Sequence, residues 1–129
     1  MSENKNVVIT KLARMKLVKA RAGAEALPHI VGMAFGNGGV NADGSVINPS
    51  DSQTELANEL YRKQIDRYSF PTDTICRYEC TLTEAELAGE EISEIGLYDE
   101  EGDIVCIKNF MRKGKDEDIK QIYVLDDIF

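Results

Sequence analysis

Two strand-like runs, 92–98 and 103–110, flank the four residues Asp99-Glu100-Glu101-Gly102. A loop of that length with glycine last suits a β-hairpin, because glycine takes the positive φ needed there without steric penalty. Closing the hairpin pairs Leu97 with Ile104 and Ile95 with Cys106, so four apolar side chains share one face. Side chains alternate along a strand, and a slip of one residue would expose all four. Ile95 and Leu97 are therefore expected to face a core.

The rest of the chain divides at its turn and capping signals. Thr10 is placed to cap an amphipathic helix over 10–22, with Gly23 as its stop. Leu12, Met15, Val18 and Ala22 recur at helical spacing, while Lys11, Arg14, Lys16, Lys19 and Arg21 fill polar positions. Residues 29–35 read as a strand with apolar side chains on both faces: Val31, Met33 and Phe35 on one, Ile30 and Ala34 on the other. Such a strand is covered on both sides. Gly36-Asn37-Gly38-Gly39 follows, then a tight turn at Asp43-Gly44. Ser52 and Glu55 match a capping box and predict a second helix from about Gln53 to Arg62, with Leu56, Ala57 and Leu60 inward. Residues 64–70 read as a strand stopped by Pro71, and 74–82 as another with Cys76, Tyr78, Cys80 and Leu82 on one side. Thr83 and Glu86 match a further capping box for one short turn, and 119–125 forms the closing strand. The expected class is α+β: an antiparallel sheet with hairpins and two helices, the first amphipathic.

Length and composition exclude several classes. At 129 residues the chain has the size of one domain with one core. Hydrophobic residues at 43% and charged residues at 29% rule out a disordered chain or a collagen-like fibre. No apolar run approaches the ~20 residues of a membrane-spanning helix. The opening MSENKNVV lacks the layout of a secretory signal. Three cysteines and no export signal argue against a disulfide framework and for a reducing cytosolic origin. The net charge of -8 is unevenly spread: residues 1–30 carry six basic and two acidic side chains, and residues 71–129 carry six and sixteen. An acidic body disfavours nucleic acid, whose phosphates are neutralised by Lys and Arg.

No residue set points to catalysis, a cofactor or a metal. His29 is the one histidine, and no carboxylate or nucleophile stands at a telling spacing from it. Cys76 and Cys80 lie four residues apart on a strand, roughly 13 Å end to end. That is too far for one zinc ion, whose thiolate ligands sit about 2.3 Å away. The glycine run lacks the Gly-Lys-Ser/Thr and helix start of a phosphate loop. Asp99, Glu100, Glu101 and Asp103 lack the ligand spacing of a calcium loop and read as a solvated turn.

The hairpin residues carry a resemblance. Ile92, Glu94, Ile95, Gly96, Leu97, Tyr98, Asp99, Gly102 and Ile104 match the block I-x-E-I-G-L-(F/Y)-D-x-x-G-x-(L/I). That block is typical of the phage tail-collar fibre protein family, which this chain resembles over nearly its whole length. The helix over 10–22, the Ile30 to Gly36 strand, Thr54 with Leu56 and Glu59, and the closing Ile122-Tyr123-Val124-Leu125 follow in that family's order. The resemblance implies a single attachment domain over 1–129, at the N-terminus of a phage or prophage tail fibre. It implies a structural virion component, made in the bacterial cytoplasm and placed in the tail or baseplate. Its partners would be other tail and baseplate proteins and copies of itself in a homotrimer. The sequence stops at Phe129 without a shaft or receptor-binding tip, which fits a short attachment protein or a piece of a longer fibre and does not favour direct receptor binding. Leu12, Met15, Val18, Val31, Met33 and Phe35 form the candidate assembly face, because apolar faces exceed what two short helices cover. The alternatives are a small cytosolic metal-binding regulator or enzyme, and a monomeric adaptor.

Overall fold

Eight strands and one helix form among the described residues, 6–129, of this computed structural model. The start of the polar opening stretch, Met1 to Lys5, lies outside them. Strands β1 (Val7–Ile9), β7 (Ile104–Gly114), β6 (Glu91–Asp99), β2 (Ile30–Gly36) and β3 (Glu59–Gln64) form a five-stranded sheet in that spatial order. Strands β4 (Arg67–Thr72), β5 (Ile75–Leu82) and β8 (Gln121–Ile128) form a second sheet of three. Every pairing is antiparallel. Helix α1 (Lys11–Arg21) follows β1 and contacts β7.

The two sheets face each other across the main core. Met33, Phe35, Ile92, Ile95, Leu97 and Cys106 from the larger sheet meet Cys80, Leu82, Tyr123 and Leu125 from the smaller. Phe35 and Tyr123 pack edge to face, ring centroids 5.3 Å apart. The outer face of the larger sheet holds a second cluster: Ala34, Ile104 and Ile107, capped by Leu56 from the loop over 51–58. Strand β2 is apolar on both faces because it lies under cover on both.

The fold class departs from the α+β expectation. Strands hold 48% of the residues and helix 9%, with one helix in place of two. The second helix does not form. Residues 51–58 are turns, and β3 begins at Glu59. Ser50 N donates to Gln53 Oε1 and Ser52 N to Ser50 Oγ, local bonds that compete with helical ones. Beyond them, the free edge of β2 takes residues 59–64 as its partner. A capping-box spacing yields to tertiary pairing here.

The expected strand over 64–70 is divided between the sheets at Ile65 and Asp66. Pro71 lies inside β4 rather than ending it, which an edge strand permits because one side needs no ladder donor. The hairpin register also differs. Leu97 pairs with Cys106, Ile95 with Lys108 and Tyr98 with Ile104. A bulge beside Leu97 and Tyr98 takes up Val105 and turns Ile104 to the opposite face. All four expected residues are buried, three facing the smaller sheet and Ile104 facing away.

Candidate functional site: the motif hairpin and its buried acids

Alternation along β6 sends Ile95 and Leu97 into the sandwich and Glu94, Gly96 and Tyr98 to the outer face. Glu94 is fully buried. Its Oε2 accepts from Gly38 N and Asn58 N, both at 2.8 Å, and its Oε1 accepts from Ala57 N at 2.8 Å. One carboxylate thus fastens two loops to the sheet, the glycine run and the turn that carries Leu56. The glycine run does cradle an anion, the chain's own. Close approach explains Gly39 as well. A Cβ there would strike the carbonyl of Ser93, while Gly39 N donates to Ser93 Oγ at 3.0 Å.

Asp99 holds the other end of the strand. Its Oδ1 accepts from Glu101 N at 3.0 Å and Asp103 N at 3.1 Å, which shapes the turn. Gly102 closes that turn at φ +84°, where L side chains are strained. Lys16 Nζ, from α1, donates to Asp99 Oδ2 at 2.6 Å and Asp103 Oδ2 at 2.7 Å, and lies 2.9 Å from Glu101 Oε1. Oxygens of Asp99, Glu101 and Asp103 lie within 4.8 Å of one another, a spacing a cation can use. The ammonium of Lys16 occupies that position. Burial acts to lower the Lys16 pKa, but its hydrogen bonds to Asp103, Asp99 and Glu101 outweigh that and raise the group above its ordinary value.

Other contacts bind the hairpin to its neighbours. Thr10 Oγ1 donates to Ile104 O at 3.0 Å and accepts from Ala13 N at 3.2 Å, so the helix cap is tied to β7. Arg62 reaches from β3 to donate to Gly102 O at 3.0 Å, with its guanidinium 4.5 Å from the Tyr98 ring centroid.

The candidate assembly residues do not lie on one surface. Met33 and Phe35 are fully buried in the chain's own core. Val31 and Leu12 are half-buried. Met15 and Val18 stand out on α1, 47% and 67% exposed. Sequence reasoning missed Tyr68 and Phe70 on β4, both exposed and set edge to face at 5.7 Å. Their common parity in Arg67-Tyr68-Ser69-Phe70 was the available signal. His29 is a surface residue whose backbone N donates to Glu100 Oε1 at 2.7 Å. Cys80 and Cys106 are buried thiols, and burial pushes Cys80 up to about 12.

The family model described as phage tail-collar fibre protein, N-terminal, matches residues 1–124. The chain belongs to that family. No curated protein and no solved structure matches it. As a tail-collar fibre domain it has a structural role in a tail fibre, and the virion tail is its place. The motif letters now have physical roles in this tail-collar domain. Glu94 fastens loops, Gly96 lies beneath Leu56 and Ile104, Tyr98 carries Arg62, and Asp99 with Gly102 builds the turn. No helix among the described residues is long and apolar enough to cross a membrane.

Proposed function

We propose that this domain, a single unit over 1–129, joins a phage or prophage tail fibre to the baseplate and assembles there as a homotrimer. Its role is structural rather than enzymatic. The observation that carries the reading is the family match across 1–124. Two features of the molecule support it. The motif acids Glu94 and Asp99 are engaged with the chain's own backbone and Lys16, as in a scaffold. Apolar surface remains on the outside at Met15 and Val18 of α1 and at Tyr68 and Phe70 of β4, which suits permanent assembly. The net charge of -8 opposes self-association, but that repulsion is screened within ~8 Å at physiological salt.

Light scattering at micromolar concentration tests the trimer. The expected mass is three times the chain mass of 14.4 kDa. A mass of 14.4 kDa at every salt concentration contradicts self-association. Attachment is tested by co-expression with baseplate proteins encoded beside this chain, which should co-purify with it. His29→Ala should leave both results unchanged.

A further inference from the structure

We propose that the pocket between α1 and the end of the sandwich is a socket for a lysine side chain of a neighbouring protein, with Asp127 as its counter-ion. The strand β8 places Tyr123, Leu125 and Asp127 on its inward face, opposite Cys80, Tyr78 and Cys76 of β5. The first two enter the core, so Asp127 holds a position that alternation assigns to an apolar residue. Its carboxylate faces a pocket walled by Ile9, Leu17, Leu27, Ile30, Val105 and Phe129. Among the described residues it has no hydrogen-bond donor and no ion-pair partner. Asp127 is half-buried, and a carboxylate withdrawn this far from water without a donor or counter-ion is unfavourable, because its desolvation is uncompensated.

The other charged groups of the pocket are already engaged. Lys16 is held by Asp99, Asp103 and Glu101, and Arg14 donates to Ile9 O and Asp51. Asp99 has Lys16 and two backbone donors. The thiol of Cys106 and the phenol of Tyr78 lie near Asp127, and neither carries positive charge. Burial pushes Asp127 up to about 6, as expected for an acid lacking a cation. A cation from outside would supply the missing partner.

Lysine fits this socket by shape and charge. Apolar walls take its four-carbon stem, and one carboxylate in the lining suits a compact ammonium rather than a planar guanidinium fork. The acidic body attracts a basic partner: residues 71–129 hold sixteen acidic and six basic side chains. This inference stands on the pocket and is independent of the attachment reading, since its probe is a small amide rather than a tail protein.

The test titrates Nα-acetyl-lysine methylamide into the full chain while the methyl resonances of Leu17, Ile30 and Val105 are followed. These resonances should shift, and the bound state should lower the pH at which the Asp127 carboxyl titrates. Asp127→Asn should weaken binding at least tenfold while unfolding no more easily than the parent. The norleucine analogue, which lacks the ammonium, should bind at least tenfold more weakly than the lysine amide. Equal binding by the norleucine analogue, or by Asp127→Asn, overturns the socket. Binding of 1,5-diaminopentane without binding of the lysine amide also overturns it, since the ligand would then be a free amine rather than a protein side chain.

Discussion

Glu94 and Asp127 are acids at opposite ends of β2, near Gly36 and Ile30 respectively, and their surroundings differ. Glu94 is fully buried and accepts three backbone hydrogen bonds from two loops. Asp127 is partly buried, faces apolar walls, and has no donor among the described residues. A carboxylate that accepts two or three N–H bonds is an organiser of the fold, because it satisfies donors that loops leave over. A carboxylate without donors reduces stability at neutral pH and contributes to the fold only when something else arrives. The same side-chain chemistry therefore builds the domain at one end and is left available at the other.

The largest expected effect comes from removing the satisfied acid. Glu94→Ala leaves three N–H groups unpaired at a buried site, each worth about 1–3 kcal/mol. Urea unfolding should show a loss of about 3–6 kcal/mol, and hydrogen exchange should quicken at Gly38, Ala57 and Asn58. Leu97→Ala gives an apolar benchmark between the two acids. A loss of about 2–5 kcal/mol is expected for this buried leucine, with no selective loosening of the loops.

Lys16→Met sharpens the comparison by making Asp99 resemble Asp127. Three carboxylates would then face each other without their ammonium, at a site where the Lys16 and Asp99 side chains are 13% and 2% exposed. A loss of about 1–3 kcal/mol is expected in urea unfolding at pH 7. Asp127 should act on stability with the opposite pH dependence to an ordinary paired acid. Burial pushes its carboxyl up to about 6 in the fold, above the ordinary 3.8, so the folded state binds more protons between those values. Stability therefore falls as pH rises through that window. Allowing for partial exposure, the drop is about 1 kcal/mol, and Asp127→Asn should abolish it. Val18→Ser, on the exposed side of α1, should change monomer stability by less than about 0.5 kcal/mol. If α1 takes part in assembly, the same change lowers the mass seen by light scattering.

Much of the hairpin was legible, because its information is local. Gly102 and the alternation of Ile95 and Leu97 lie within a few residues of the turn they specify. The bulge that turns Ile104 away was not legible, since it depends on how Val105 is taken up between two paired strands. Ser52 and Glu55 predicted a helix from local spacing, and the pairing of β3 with the edge of β2 prevailed. The role of Glu94 was hidden for the same reason. Its donors come from 36 to 56 residues away. The glycine run gave no local sign of an anion, because the carboxylate that Gly38 N binds is 56 residues distant. Asp127 left one faint sign in the sequence, an acid on the apolar parity of the closing strand after Tyr123 and Leu125.

The most direct test is the same change made at both acids. Glu94→Gln and Asp127→Asn each replace a carboxylate by its amide with almost no change in shape. Unfolding by urea at pH 7 should give opposite signs. Glu94→Gln should lose about 2–4 kcal/mol, because an amide NH₂ is set against backbone donors, and Asp127→Asn should gain about 1 kcal/mol, because a desolvated charge is removed. A loss of stability in both variants, or no change in Glu94→Gln, would contradict the distinction between the acid that builds the fold and the acid left free for a partner.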